Sequence, residues 1–306
     1  MTNKKSNILP IVVMYLLFFM IAFVTNLCNP MAVIVKNNFA MSNFAAQLGN
    51  AANFIAYAAM GIPAGMLLKK IGYRKTALVA ILIGFIGVFL QYMSGWAAIQ
   101  SFWVYLAGAF TAGFCMCMLN TVVNPMLNTL GGGGNKGNQL VQFGGVCNSL
   151  AAVLVTIIMG SLIADATKAQ IADATPALMI ALGVFAFAFL VLLLVKIPEP
   201  AQENEGDKAK DKKYSAFSFR HFNLGILAIF LYMGVEVGVP TYVMQYLTTS
   251  PDATTPGLGI NASIVGMIVA VYWLLMLVGR LLGGMIGGKV SSRAQITGVS
   301  ILCLVL

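Results

Sequence analysis

Charge is what this sequence has least of. Only 9% of its 306 residues are Asp, Glu, Lys or Arg, against 59% that are hydrophobic, whereas an ordinary soluble domain carries about 25% charged residues. So little charge over so long a chain excludes soluble enzymes, nucleic-acid-binding modules and secreted disulfide scaffolds, and leaves a polytopic membrane protein. Histidine is nearly absent: His221 stands alone beside Arg220, so neither a Ser-His-Asp triad nor a histidine-ligated metal is expected. The five cysteines, Cys28, Cys115, Cys117, Cys147 and Cys303, all fall in apolar stretches, and an odd number buried in helices gives no disulfide framework. Cys115 and Cys117 are two apart, which turns them to different faces of a helix and away from a shared ion. No GxGxxG, P-loop or HExxH pattern stands in a supporting context. The expectation is a protein that is not an enzyme and needs no cofactor, no metal and no nucleic acid.

What is present is hydrophobic length. With about 20 apolar residues needed to cross a bilayer, eight spans are predicted, at 9–35, 43–68, 76–94, 98–127, 138–164, 176–196, 222–247 and 261–288. A ninth begins near Ala294 and reaches Leu306. The first stretch follows Lys4 and Lys5 as a signal peptide would, but it is too long, contains Asn26 and Asn29 and has no small-residue cleavage site, so it is a retained helix. With the N-terminus inside, fifteen of the eighteen Lys and Arg lie on the inner side, only Lys36 and Lys168 lie outside, and Arg280 is left within a span. This bias predicts a cytoplasmic N-terminus and explains the net charge of +9 as topology. Arg280, at the inner end of its span, is expected to satisfy carbonyls or loop groups.

The polar stretch Pro198 to Phe219 holds five of the nine acids and a Lys208-to-Lys213 basic run. It reads as a cytoplasmic linker whose charges face solvent and anionic lipid. It divides residues 1–197, an N-terminal six-helix half, from residues 220–306, an incomplete C-terminal half. A shift of 219 residues superposes Gly65 on Gly284, Lys70 on Lys289 and Arg74 on Arg293, as two parallel six-span repeats would. Completing both repeats takes about 430 residues, so the second half is expected to be truncated in the ninth helix. Gly61-x-x-x-Gly65 and Gly279-x-x-x-Gly283 are expected to be close helix contacts, and Gly131 to Gly134 a turn.

Polar side chains within spans need partners, because lipid offers none. The first span carries Asn26 and Asn29, the second Gln47, Asn50 and Asn53, the fourth Asn120 and Asn124, the fifth Gln142 and Asn148, and the seventh Glu236. Spacings of three and four put pairs on one face. Such amides either hold the bundle together, at about 0.6 kcal/mol per bond, or line a cavity where their donors and acceptors suit an uncharged polyhydroxy solute. The candidate binding set is Asn26, Asn29, Asn50, Asn120, Asn124, Gln142, Asn148 and Glu236. Glu236 is the one carboxylate well inside a span, at a cost of roughly 2.5–3.5 kcal/mol on insertion scales. It serves as a protonated bundle contact, a hydroxyl acceptor or an ion-coupling group. Trp96 and Trp103 read as interfacial anchors.

The loop running Gly65, Lys69, Lys70, Gly72, Arg74, Lys75 resembles the signature loop of the major facilitator superfamily, with Lys69 where an acid is usual. The whole chain is similar to the fucose/glucose/galactose sugar:proton symporter family. That resemblance is carried by Asn26-Leu27-Cys28-Asn29, Ser42-Asn43-Phe44, Ile62-Pro63-Ala64-Gly65, Asn124-Pro125, Asn148-Ser149 and the run from Phe230 to Gly238 around Glu236. It implies an all-α polytopic fold of two six-helix halves rocking about a midplane site, monomeric and lodged in a bacterial inner membrane. It implies as substrate a hexose or deoxyhexose, with H+ or Na+ as the candidate coupling ion. The symporters carry Asp where Asn29 stands and Glu where Asn120 stands; Asn cannot exchange a proton near neutrality, though it can still bond a sugar. Rival readings are a carrier for another neutral solute, such as a nucleoside or glycoside, and a non-transporting membrane sensor.

Overall fold

The computed structural model describes residues 8–163, 168–195, 197–199, 216–253 and 256–305. The linker residues 200–215 with their basic run, Lys4, Lys5 and Lys196 lie outside the described residues. Apolar runs this long satisfy their backbone only internally in lipid, and the described residues accordingly form helices: α1 Ile8–Asn38, α2 Asn43–Ala46, α3 Leu48–Ile71, α4 Tyr73–Met93, α5 Phe102–Leu130, α6 Gly134–Leu162, α7 Thr175–Leu194, α8 Arg220–Thr248, α9 Ala262–Gly287 and α10 Ser292–Val305. Eight of the spans are long and apolar enough to cross a membrane, matching the eight expected. The second span differs in detail. It opens with a single turn, α2, capped by Ser42, whose Oγ accepts from the Ala45 amide, and the chain bends at Gln47 before α3 begins. The fourth starts at Phe102, not at residue 98, because 94–101 form turns in which Trp96 packs edge-on against Tyr92 and Phe89.

The chain forms two units, Met1–Glu199 with Asn261–Leu306, and Pro200–Ile260. In the first unit, α5 is the most enclosed helix and α1 the next. Helix α1 packs on α5, α6 and α7, α4 on α5 and α7, α3 on α5, and α9 on α6. Apolar side chains pointing out of the bundle, such as Ile55, Ile62, Leu190 and Leu194, suit a lipid surround.

Close helix contacts are made by glycines, and of the four expected only Gly283 is among them, where a Cβ would stand 2.7 Å from Gln142 Oε1 of α6. A Cβ on Gly87 of α4 would stand 2.7 Å from the Ala112 amide nitrogen, and one on Gly108 of α5 2.7 Å from the Gly87 carbonyl oxygen. Gly160 of α6 and Gly266 of α9 meet in the same way, since a Cβ on either would lie within 3.3 Å of the other's Cα. Gly61, Gly65 and Gly279 have open space among the described residues where a side chain would stand. Small-residue spacing marks a surface able to approach a neighbour, but which neighbour arrives depends on the whole bundle.

The second unit holds α8, whose buried residues Glu236, Pro240 and Met244 recur every four positions along one face. Tyr242 and Tyr246 stack one turn apart, centroids 6.1 Å and planes 4° from parallel. The following segment folds back through bonds from the Leu258 amide to the Tyr246 carbonyl at 3.1 Å and from the Ile260 amide to the Leu247 carbonyl at 2.8 Å.

Candidate functional site

The predicted amides separate into two groups in the first unit. One lies on α1, α3 and α5. Asn50 of α3 donates through Nδ2 to Oδ1 of Asn29 on α1 at 3.2 Å and to Oε1 of Gln47 at 2.7 Å. One turn on, Asn53 donates to the Cys28 sulfur at 3.1 Å, tying the same two helices a second time. On α5, Asn124 donates to the carbonyl of Asn120 at 3.0 Å and to its Oδ1 at 3.3 Å, and the Tyr57 hydroxyl of α3 pairs with the Asn120 side chain.

Several of these amides share one habit. Asn26 returns its Nδ2 to the Ala22 carbonyl at 2.9 Å, and Asn120 returns its own to Met116 at 3.2 Å. Asn124 does the same to Asn120. Each of these amides thus commits at least one Nδ2 hydrogen to backbone or to a neighbouring amide, and Asn29 and Asn120 also accept through Oδ1. Asn53, at 2% exposure, is enclosed against Gly113 of α5, where any Cβ would strike the Asn53 carbonyl. Pro30 and Pro125, inside α1 and α5, remove the amides that would bond the Asn26 and Thr121 carbonyls.

The second group lies where α6 meets α9 and α10. Arg280 of α9 donates through Nη1 to the Gly145 carbonyl at 3.1 Å, Asn148 Oδ1 at 3.2 Å and Ser149 Oγ at 2.9 Å. A Cβ at Gly145 would lie 3.1 Å from Arg280 Cδ, so the missing side chain is what admits the guanidinium. Gln142 donates to Gln295 at 3.4 Å, Gln139 to the Gly284 carbonyl at 2.9 Å, and Asn138 to Ser292 at 3.0 Å. Gln142 and Asn148 therefore stand in a helix–helix seam, apart from the α1–α3–α5 amides, and Arg280 satisfies carbonyl and side-chain groups as its place in the sequence suggests. Glu236 lies on α8 in the other unit.

The loop joining α3 to α4 at Gly72 is built as a reciprocal clamp. Gly72 ends α3 at φ +83°, a conformation open to glycine and costly for other residues. Glu199, just beyond α7, accepts from the Tyr73 amide at 2.8 Å and the Arg74 amide at 3.1 Å, capping the start of α4. Arg74 in turn donates to the Leu192 carbonyl at 3.0 Å and the Leu193 carbonyl at 2.7 Å at the end of α7. Carboxylate at a helix N-terminus and guanidinium at a C-terminus each complement the helix dipole. Lys69 and Lys70 end α3 and are exposed. Glu199 was hidden among the linker acids; its place directly after an apolar span was the signal. Tyr57 was discernible as the residue four beyond Asn53 and seven beyond Asn50. Among the described residues no group of three His, Cys, Asp or Glu could hold a metal ion.

The Major Facilitator Superfamily profile matches residues 14–306. The chain belongs to the major facilitator superfamily. Within this superfamily it is 29% identical over 288 residues to a glucose/galactose transporter of Brucella abortus, covering 92% of this chain and 68% of that one. It is 23% identical to the L-fucose-proton symporter of Escherichia coli, covering 99% and 73%. The crystal structure of the major facilitator transporter FucP in its outward conformation superposes with a TM-score of 0.73 at 22% identity, over 94% of this chain and 73% of that one. The fold is that of a multi-pass major facilitator protein.

Proposed function

We propose that this protein carries a neutral sugar, a hexose or deoxyhexose, across a bacterial inner membrane by alternating access, with its N-terminus in the cytoplasm. The observation that carries this reading is the cluster of uncharged amides on α1, α3 and α5: Asn26, Asn29, Asn50, Asn120 and Asn124 are tied to one another or to backbone through side-chain hydrogen bonds. Uncharged amides, which carry both donors and acceptors, complement a neutral solute rich in hydroxyls. The relatives named for glucose, galactose and fucose transport support the same substrate class.

Coupling is assigned to Glu236. Asn29 and Asn120 are amides and do not titrate near neutrality, whereas Glu236 places a carboxyl group on α8. In proteoliposomes holding the full-length protein, Glu236→Gln is expected to keep sugar counterflow and to lose accumulation driven by an ion gradient. Full gradient-driven accumulation by the variant removes Glu236 from coupling.

A further inference from the structure

Asn50 is the amide whose two ends differ most in their surroundings. Its Nδ2 is held by two acceptors, Asn29 Oδ1 at 3.2 Å and Gln47 Oε1 at 2.7 Å. Its Oδ1 is buried and has no hydrogen-bond partner among the described residues. An amide oxygen in that state is costly unless a donor reaches it. With Asn29 and Gln47 presenting their oxygens as they do, turning the Asn50 amide over would set its oxygen against two other carbonyl oxygens. Asn53 Oδ1 also has no partner, but that side chain is wholly enclosed against Gly113. Asn29, Gln47 and Asn50 are only partly buried as residues; Asn50 Oδ1 itself is enclosed here, so a solute reaches it only as the carrier opens during its cycle.

We propose that Asn50 is a specificity-determining residue that accepts a hydrogen bond from one sugar hydroxyl through Oδ1, with Asn29 and Gln47 as the residues that hold its amide in that orientation. The inference rests on the sugar-carrier reading and adds to it the direction of one bond. The site demands a donor at that point, so a group that fills the same space but cannot donate is rejected. Asn29 supplies Asn50 with an acceptor just as a carboxylate would, but without the charge, so the arrangement does not loosen when pH falls.

The test is equilibrium binding to the purified full-length protein of D-glucose, D-galactose and L-fucose, and of analogues in which each hydroxyl is replaced in turn by fluorine. Fluorine keeps the size of a hydroxyl and cannot donate. At one position the wild type is expected to lose about ten-fold or more in affinity, the cost of leaving a buried acceptor unpaired. In Asn50→Leu the parent sugar binds more weakly and the penalty at that position disappears, while penalties at other positions stay. Gln47→Leu is expected to shrink the same penalty and Gln47→Glu, which retains an acceptor for Nδ2, to restore it; this pair lies at the start of α3 and does not depend on Asn50→Leu folding. A fluorine profile that is flat in the wild type, or unchanged in Asn50→Leu and Gln47→Leu, overturns the assignment and leaves the sugar site standing. No binding of any of the three parent sugars overturns the sugar reading itself, and this inference with it.

Discussion

Glu199, Gly72 and Arg74 act on one another within a few ångströms. The carboxylate occupies the space a side chain at Gly72 would need, since a Cβ there would lie 2.8 Å from Glu199 Oε2. Glu199→Ala is expected to cost about 1 kcal/mol, as losses of helix N-caps do. Gly72→Ala is expected to cost at least as much, because it both strains a positive φ and pushes the carboxylate off the α4 amides. The double variant should then cost less than the sum, because one interaction cannot be lost twice. Thermal unfolding of the four proteins in detergent measures this, and additive losses would show that Gly72 and Glu199 are independent. At the same scale, an amide in an apolar span announces itself in the sequence, and Asn29, Asn50, Asn120 and Asn124 were all legible for that reason. Which end of each amide is spent within the protein was not, because that depends on neighbours brought from other helices. Asn148 shows the limit: its spacing placed it with the binding set, yet its Oδ1 accepts from Arg280, 132 residues away.

Among the elements, the number and order of the long spans follow from hydrophobic length, since a lipid-spanning segment has no other way to satisfy its backbone, whereas the break at Gln47 and the start of α5 at Phe102 do not. The seam between α6 and the α9–α10 pair was not legible. It joins segments more than a hundred residues apart, and its bonds run through ordinary surface-type residues, Asn138, Gln139, Gln142, Ser292 and Gln295. If alternating access rocks the two halves, this seam must part at one stage of the cycle. Cysteines placed at Asn138 and Ser292, whose side chains touch at 3.0 Å, are expected to be joined by a short bifunctional thiol reagent. The joined protein should lose transport and recover it when a cleavable linker is reduced. Undiminished transport by fully joined protein would show that this seam stays closed throughout.

At the scale of the whole molecule, the cation bias predicts the orientation of the chain, and the amides of α1, α3 and α5 are the proposed contacts for its cargo. Lys136, in the first turn of α6, is expected on the cytoplasmic side and Lys168, between α6 and α7, on the outer side. Single cysteines at these positions, in a background without the native five, should respectively resist and react with an impermeant maleimide in intact cells; the reverse pattern inverts the topology. The central claim is that the protein moves a neutral sugar through a site whose first-half amides do not titrate. The most direct measurement is counterflow of radiolabelled D-glucose, D-galactose and L-fucose into preloaded proteoliposomes containing the full-length protein, repeated from mildly acidic to mildly alkaline pH. The account predicts a saturable overshoot for at least one of the three sugars, and a pH response at Asn29→Asp that differs from the wild type. Absence of any overshoot above protein-free liposomes, for all three sugars and at every pH, would contradict it.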